Sequence, residues 1–182
     1  MSAERLRSQP PARAAGSYLL LLRLGGTRAL DVGMLGRVRF PAGNYVYAGS
    51  AMGGLGARVK RHFRSCKKVK WHIDRLLAVA ELSGAVLFPS EHREECRLAR
   101  AVLAVPGTRP VPGFGSSDCR CIGHLVHLGT LSFGELLGRL DGRGQGAGGR
   151  VRWPDGSSTA PLHLAPRTLH PAPRTLPGEA LD

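Results

Sequence analysis

The stretch YVYAGSAMGGLGARVKRHF, residues 45–63, places two tyrosines in a short apolar run, then glycines, then a row of Arg, Lys and His. An apolar core does not need that order of residue types; a site that handles phosphate does. A third tyrosine, Tyr18, stands two residues after Gly16, and Tyr47 stands two residues before Gly49. Arg58 follows, with His62 about one helical turn beyond it. Hydrolysing a phosphodiester at neutral pH requires a deprotonated water, neutralised charge on the phosphoryl oxygens and a stabilised leaving oxygen. Tyrosine has a reference pKa near ~10, and neighbouring cations lower it toward use as a base. A guanidinium such as that of Arg58 forks onto two phosphate oxygens. His62 is of a type to contact phosphate or to carry a proton. Singly, a strand tyrosine packs in a core or rim and a helix arginine is solvated. The joint order points to a site.

The elements that must position these residues are legible from periodicity. Residues 1–15 read as a flexible leader. GSYLLLLRLGG reads as a buried strand ended by Gly25-Gly26, and RALDVGMLGRVRF as a hairpin turning near Gly33 and Gly36. PAGNYVYAGSA gives another strand. From Leu55 the period changes, and Leu55, Val59, His62 and Phe63 share a helical face. WHIDRLLAVA (71–80) predicts a second helix and GAVLF (84–88) a short strand. Ser90 is a candidate cap for a third helix, with Glu91, Glu94 and Glu95 in its early turns and Leu98, Ala99, Val102 and Leu103 on its apolar face. VPGTRPVPGFGSSDC predicts a loop, and CIGHLVHL a strand with Ile122, His124, Val126 and Leu128 on one face. Ser132 and Glu135 have the spacing of a capping box for a last helix to Leu140. After Asp141 the chain turns Gly-rich and then Pro-rich, a composition expected to stay disordered. One α/β domain (α+β), residues 16–140, is expected: a small, mainly antiparallel sheet flanked by helices, with an extra β-hairpin and a disordered tail at 141–182.

Charge supports a polyanionic partner. Of the net +13, the larger part sits within residues 16–140, where 18 Lys and Arg face 8 Asp and Glu. From Arg58 to Arg75 eight basic residues accompany one acid, Asp74. Arg58, Lys60, Arg61, Arg64, Lys67, Lys68 and Lys70 are the candidate nucleic-acid contacts, held by salt-sensitive attraction. No apolar run reaches the roughly 18 residues of a membrane span, and MSAERLRSQPPARAAG lacks the apolar stretch of a secretory signal. An intracellular protein, cytoplasmic or nuclear/nucleoid, with reduced thiols and no membrane partner is expected.

The triplets Gly16-Ser17-Tyr18 and Tyr47-Ala48-Gly49, followed by a helix with Arg58, resemble the GIY-YIG nuclease superfamily. More closely, GNYVYAGSA, LGARVKRH, WHID, EECRLA and FGSSDCRCIGHL resemble the domain-of-unknown-function 123 family, over Gly16 to about Leu128. Ser17 stands where the superfamily has Ile, a position expected mainly to pack, and the hairpin at 28–40 lengthens the gap between the tyrosines. The resemblance implies a metal-dependent endonuclease acting on nucleic acid, DNA in preference to RNA. It implies Tyr18 as general base beside the basic helix and Tyr47 as the residue orienting water or phosphate. It also implies one glutamate holding Mg2+ or another divalent cation. Glu95 is the candidate, with Glu94 and Glu91 as competitors; all three also suit a helix N-terminus. The alternative on the same fold is a DNA- or RNA-binding module without cleavage.

Cys119-Arg120-Cys121-Ile122-Gly123-His124, with Cys96 on the preceding helix, offers four N/S ligands for structural zinc. Cys-x-Cys is tighter than the usual spacing, so buried small hydrophobes beside a polar loop are the favoured reading. Asp118 is placed to cap or hydrogen-bond that loop. His72 and Asp74, two apart, do not share a helix face. Trp71 packs or stacks a base.

Overall fold

A computed structural model describes residues 14–140 together with the short strands at 151–152, 158–159 and 162–164. The sequence-based leader and tail otherwise lie outside the described residues. The described elements are β1 (Gly16–Leu24), β2 (Arg28–Asp31), β3 (Arg37–Phe40), β4 (Gly43–Ser50), α1 (Leu55–His62) and α2 (His72–Leu77). They continue with β5 (Glu81–Pro89), α3 (Glu95–Leu103), β6 (Arg109–Pro110), β7 (Leu125–His127) and α4 (Phe133–Leu140). The last three are β8 (Val151–Arg152), β9 (Ser158–Thr159) and β10 (Leu162–Leu164).

The principal sheet runs β10-β5-β1-β4-β7-β6, and every pairing in it is antiparallel. β1 lies between β5 and β4, and all its residues except Arg23 are buried. A strand covered on both faces needs no polar alternation, which is why YLLLL reads as an unbroken apolar run. The pleat sorts its side chains. Tyr18, Leu20 and Leu22 enter one core with Leu55 and Val59 of α1, Ile73 and Leu76 of α2, and Val32 and Phe40 of the β2–β3 hairpin. Leu19 and Leu21 enter the other, with Leu98 and Val102 of α3 and Leu136 and Leu140 of α4. The fold is therefore the expected antiparallel sheet flanked by helices.

Several boundaries differ from the sequence reading. The second helix is shorter, His72–Leu77, because β5 begins at Glu81 opposite Arg23 and needs residues 78–80 to turn. The third helix starts at Glu95, not after Ser90; the Ser90 hydroxyl instead accepts a bond from the His92 N–H at 3.0 Å. The strand expected at 121–128 is only Leu125–His127, and Ile122 is exposed. The capping box at α4 is present. The Glu135 carboxylate accepts from the Ser132 N–H at 2.8 Å, and the Glu135 N–H donates to the Ser132 hydroxyl at 3.2 Å.

Candidate active site

Tyr18 and Gly49 face each other across the β1–β4 pairing. A Cβ at residue 49 would meet the Tyr18 ring and hydroxyl at 2.6 Å. Glycine in the Tyr47-Ala48-Gly49 triplet thus makes room for the tyrosine of the other triplet, and Gly16 lets β1 approach β5, where a Cβ would collide with the Phe88 carbonyl. The two motifs interlock sterically. Next along the chain, α1 lies on the Tyr18 face of the sheet and presents Arg58 and His62 to the same place.

Tyr18, Tyr47, Arg58, His62 and Glu95 all line one open cleft of about 610 Å³, with Lys70 and Trp71 on its rim. The Tyr18 hydroxyl is 2.9 Å from Nε2 of His62, and the Arg58 charge acts on it. The guanidinium carbons of Arg58 and Arg61 stand 4.3 and 4.1 Å from the Trp71 ring centroid. Trp71 is half-buried and both packs and faces the cleft. Among the three glutamates, Glu95 alone lines the cleft; Glu94 pairs with Arg97 at 3.4 Å and Glu91 is exposed. Oε2 of Glu95 is buried without a hydrogen-bond partner among the described residues. A buried carboxylate oxygen with no donor is costly unless something completes it.

Burial controls the acid–base behaviour, against the expectation that adjacent cations would lower the tyrosine pKa. Desolvation pushes Tyr18 well above its ordinary value, more than Arg58 lowers it. Tyr47 is pushed up to about 12 by the same cause. Both are protonated phenols at neutral pH. His62 moves oppositely: burial, then the ammonium of Lys67, brings it down from 6.5 to about 4. The unfolded chain therefore binds this proton more tightly than the folded one. Stability from this group is complete above about pH 6.5 and is lost as pH falls toward 4. We expect unfolding in urea at pH 4.5 to show a loss of about 2–3 kcal/mol from this source. A His62→Gln variant should lack that part of the acid slope; an identical slope would assign it to other groups.

The basic residues divide into two sets. Lys60, Arg64, Lys68 and Lys70 are exposed. Arg61 instead forks onto Asp74, with 3.0 and 2.9 Å contacts, and the Lys67 ammonium donates to the His62 carbonyl at 2.6 Å. Asp74 also accepts the backbone N–H groups of Lys70 and Trp71. Asp74 thus ties α1 to the start of α2.

Sequence reasoning missed Ser17. It is buried, and its hydroxyl accepts the Glu94 N–H at 2.8 Å, tying β1 to the residue that opens α3. The only signal was a serine where the resemblance has an apolar residue. Behind the cleft, Cys96, Cys119, Cys121 and His124 form a cluster that could hold a metal ion, their ligand atoms all within 4.8 Å of one another. Burial and the two neighbouring thiols push Cys96 up to about 12. Asp118 is exposed and pairs loosely with Arg93 at 3.8 Å. Among the described residues no helix is long and apolar enough to cross a membrane.

No curated protein and no solved structure matches the chain. A family model described as "Domain of unknown function DUF123" matches residues 17–135, most of the described fold and every residue of the cleft discussed above. The chain belongs to the DUF123 family.

Proposed function

We propose that this protein is a metal-dependent endonuclease of the GIY-YIG type, cleaving phosphodiester bonds in nucleic acid, with DNA preferred. The observation that carries this reading is the meeting of Tyr18, His62, Arg58 and Glu95, whose buried Oε2 has no hydrogen-bond partner among the described residues, in one open cleft beside exposed cations.

The chain's own residues do most of the work. Exposed Lys60, Arg64, Lys68 and Lys70 attract the nucleic-acid backbone. Arg58, oriented against Trp71, neutralises phosphoryl oxygens as charge builds on them. Tyr18 enters protonated, so it acts as base by exchange. Its oxygen takes a proton from the attacking water as its own proton passes to Nε2 of His62, in the tautomer that carries hydrogen on Nδ1. Burial keeps His62 neutral, so its Nε2 faces the Tyr18 hydroxyl as an acceptor. Tyr47, also protonated, donates a hydrogen bond to water or phosphate. Glu95 would hold a divalent ion, Mg2+ by the chemistry of one carboxylate completed by waters and substrate phosphate; when bound, it supplies charge at the phosphoryl group.

The test is incubation of the full chain with branched, nicked and single-stranded DNA and RNA, with and without Mg2+, beside Glu95→Gln. Magnesium-dependent cleavage by the wild type and a fall of at least about 10²-fold in the variant are expected. Equal cleavage by both moves the metal to another group. Tight, salt-sensitive binding with no cleavage of any substrate replaces the enzyme by a binding module on the same fold.

A further inference from the structure

The cluster behind the cleft is compact enough to surround a single ion. Sγ of Cys96 and Sγ of Cys119 stand 3.6 and 3.4 Å from Nε2 of His124. All four ligand atoms, including Sγ of Cys121, fall within 4.8 Å of one another. Around one zinc, with bonds of about 2.3 Å to sulfur and about 2.05 Å to nitrogen, a tetrahedron separates S from N by roughly 3.6 Å and S from S by roughly 3.8 Å. Atoms this close surround one ion, not a multi-iron cluster. From these observations we propose that Cys96, Cys119, Cys121 and His124 bind a structural Zn2+ ion, joining the start of α3 to the loop between β6 and β7.

The tight Cys-x-Cys spacing is accommodated because residues 119–123 are not a strand. The loop folds back on itself: the Gly113 N–H donates to the Ile122 carbonyl at 2.7 Å, and the His124 N–H to the Phe114 carbonyl at 2.8 Å. The Cys119 N–H closes a turn onto the Ser116 carbonyl at 3.3 Å. His124 is buried, 3% exposed, as a ring that ligates a structural ion should be. Zinc would displace the three thiol protons to solvent, leaving a site of net −1, and the Arg100 guanidinium lies near Cys121. Three thiolates and one imidazole suit zinc by ligand softness and geometry. The remaining cysteine, Cys66, is exposed and apart.

The site also has a consequence for the cleft, and this part rests on the proposed nuclease reading. Cys96 follows Glu95 directly, and His124 lines the same cleft. The ion would fix the first turn of α3, making its ligands positioning residues for the Glu95 carboxylate.

Full-length protein, purified in reductant without added metal and washed with a weak chelator, should carry about one zinc per chain by elemental mass spectrometry. Native thiol titration should count one fast cysteine, Cys66, and all four after a strong chelator strips the ion. Stripping should lower Tm by on the order of 10 °C, with recovery on adding Zn2+. Cobalt replacing zinc should give the intense absorption of tetrahedral thiolate coordination, a readout that needs no variant. Cys119→Ser and Cys121→Ser should lose the metal, while Cys66→Ser, Tyr18→Phe and Glu95→Gln keep it. Absence of zinc both as purified and after zinc addition overturns the proposal, as does iron in its place or full retention in Cys119→Ser. Zinc present in a protein that cleaves nothing leaves the site standing and removes the enzyme reading; cleavage by a protein that neither carries nor takes up zinc does the reverse.

Discussion

Replacing Tyr18 by Phe is expected to lower magnesium-dependent cleavage by roughly 10²–10⁴-fold while leaving nucleic-acid affinity unchanged. The reason is specific to one oxygen. Phe keeps the ring that fills the space above Gly49 and packs among Leu20, Leu55 and Val59. It removes only the hydroxyl that bonds Nε2 of His62 at 2.9 Å and lies beside Arg58. Losing a buried hydrogen bond while leaving Nε2 unpaired costs about 1–2 kcal/mol, so the fold should survive with a modest fall in Tm. On the proposed reading, cations on α1 and the 67–70 run, not the phenol, would hold the backbone, so Kd should not move. Single-turnover cleavage beside a binding titration separates the two effects. Cleavage at the wild-type rate would show that water is activated elsewhere; loss of binding would make Tyr18 a substrate contact and not a base.

Much of this cleft was legible in the sequence because its parts obey local rules. Glycine two residues from a tyrosine on a strand puts both on one face, and the structure makes the two triplets complementary across β1 and β4. The helical spacing of Leu55, Val59 and His62 is enough to place Arg58 beside them. Ser132 and Glu135 formed their capping box because both partners lie three residues apart. What was not legible depends on distant partners or on depth. The acceptor of the Glu94 N–H is Ser17, 77 residues away, and no local pattern announces it. The four metal-ligand candidates read as unconvincing because Cys-x-Cys is tighter than the usual spacing, and the loop that gathers them is held by backbone bonds to Ser116, Phe114 and Gly113 that no local pattern announces. The tyrosine pKa was expected to fall because charges can be counted in a sequence. Burial cannot be counted there, and at Tyr18 burial outweighs Arg58.

Asp74→Ala is expected to cost about 3–5 kcal/mol of stability. Its carboxylate is buried and accepts four hydrogen bonds: two from Arg61 at 3.0 and 2.9 Å, and the N–H groups of Lys70 and Trp71 at 2.9 and 3.1 Å. Lys67 adds its charge at 4.0 Å. Burial alone would raise the carboxyl pKa. The Arg61 bonds and the two backbone donors outweigh it and bring the value down from 3.8 to about 2. Stability from this shift is present above about pH 4 and is lost as pH falls through 2, a window below that of His62. The alanine variant strands two N–H groups at the start of α2 and frees Arg61, which is partly exposed and regains water, so the lower half of the range is favoured. Urea unfolding at pH 7 measures the loss, and the variant should also lack the wild type's steepening below pH 4. The consequence reaches the cleft, because Trp71 is both the residue opening α2 and the surface against which Arg58 lies. A variant refolded below its lowered midpoint should therefore bind nucleic acid more weakly even though residue 74 need not touch it. Unchanged stability would mean that the α1–α2 corner is held by its apolar contacts alone.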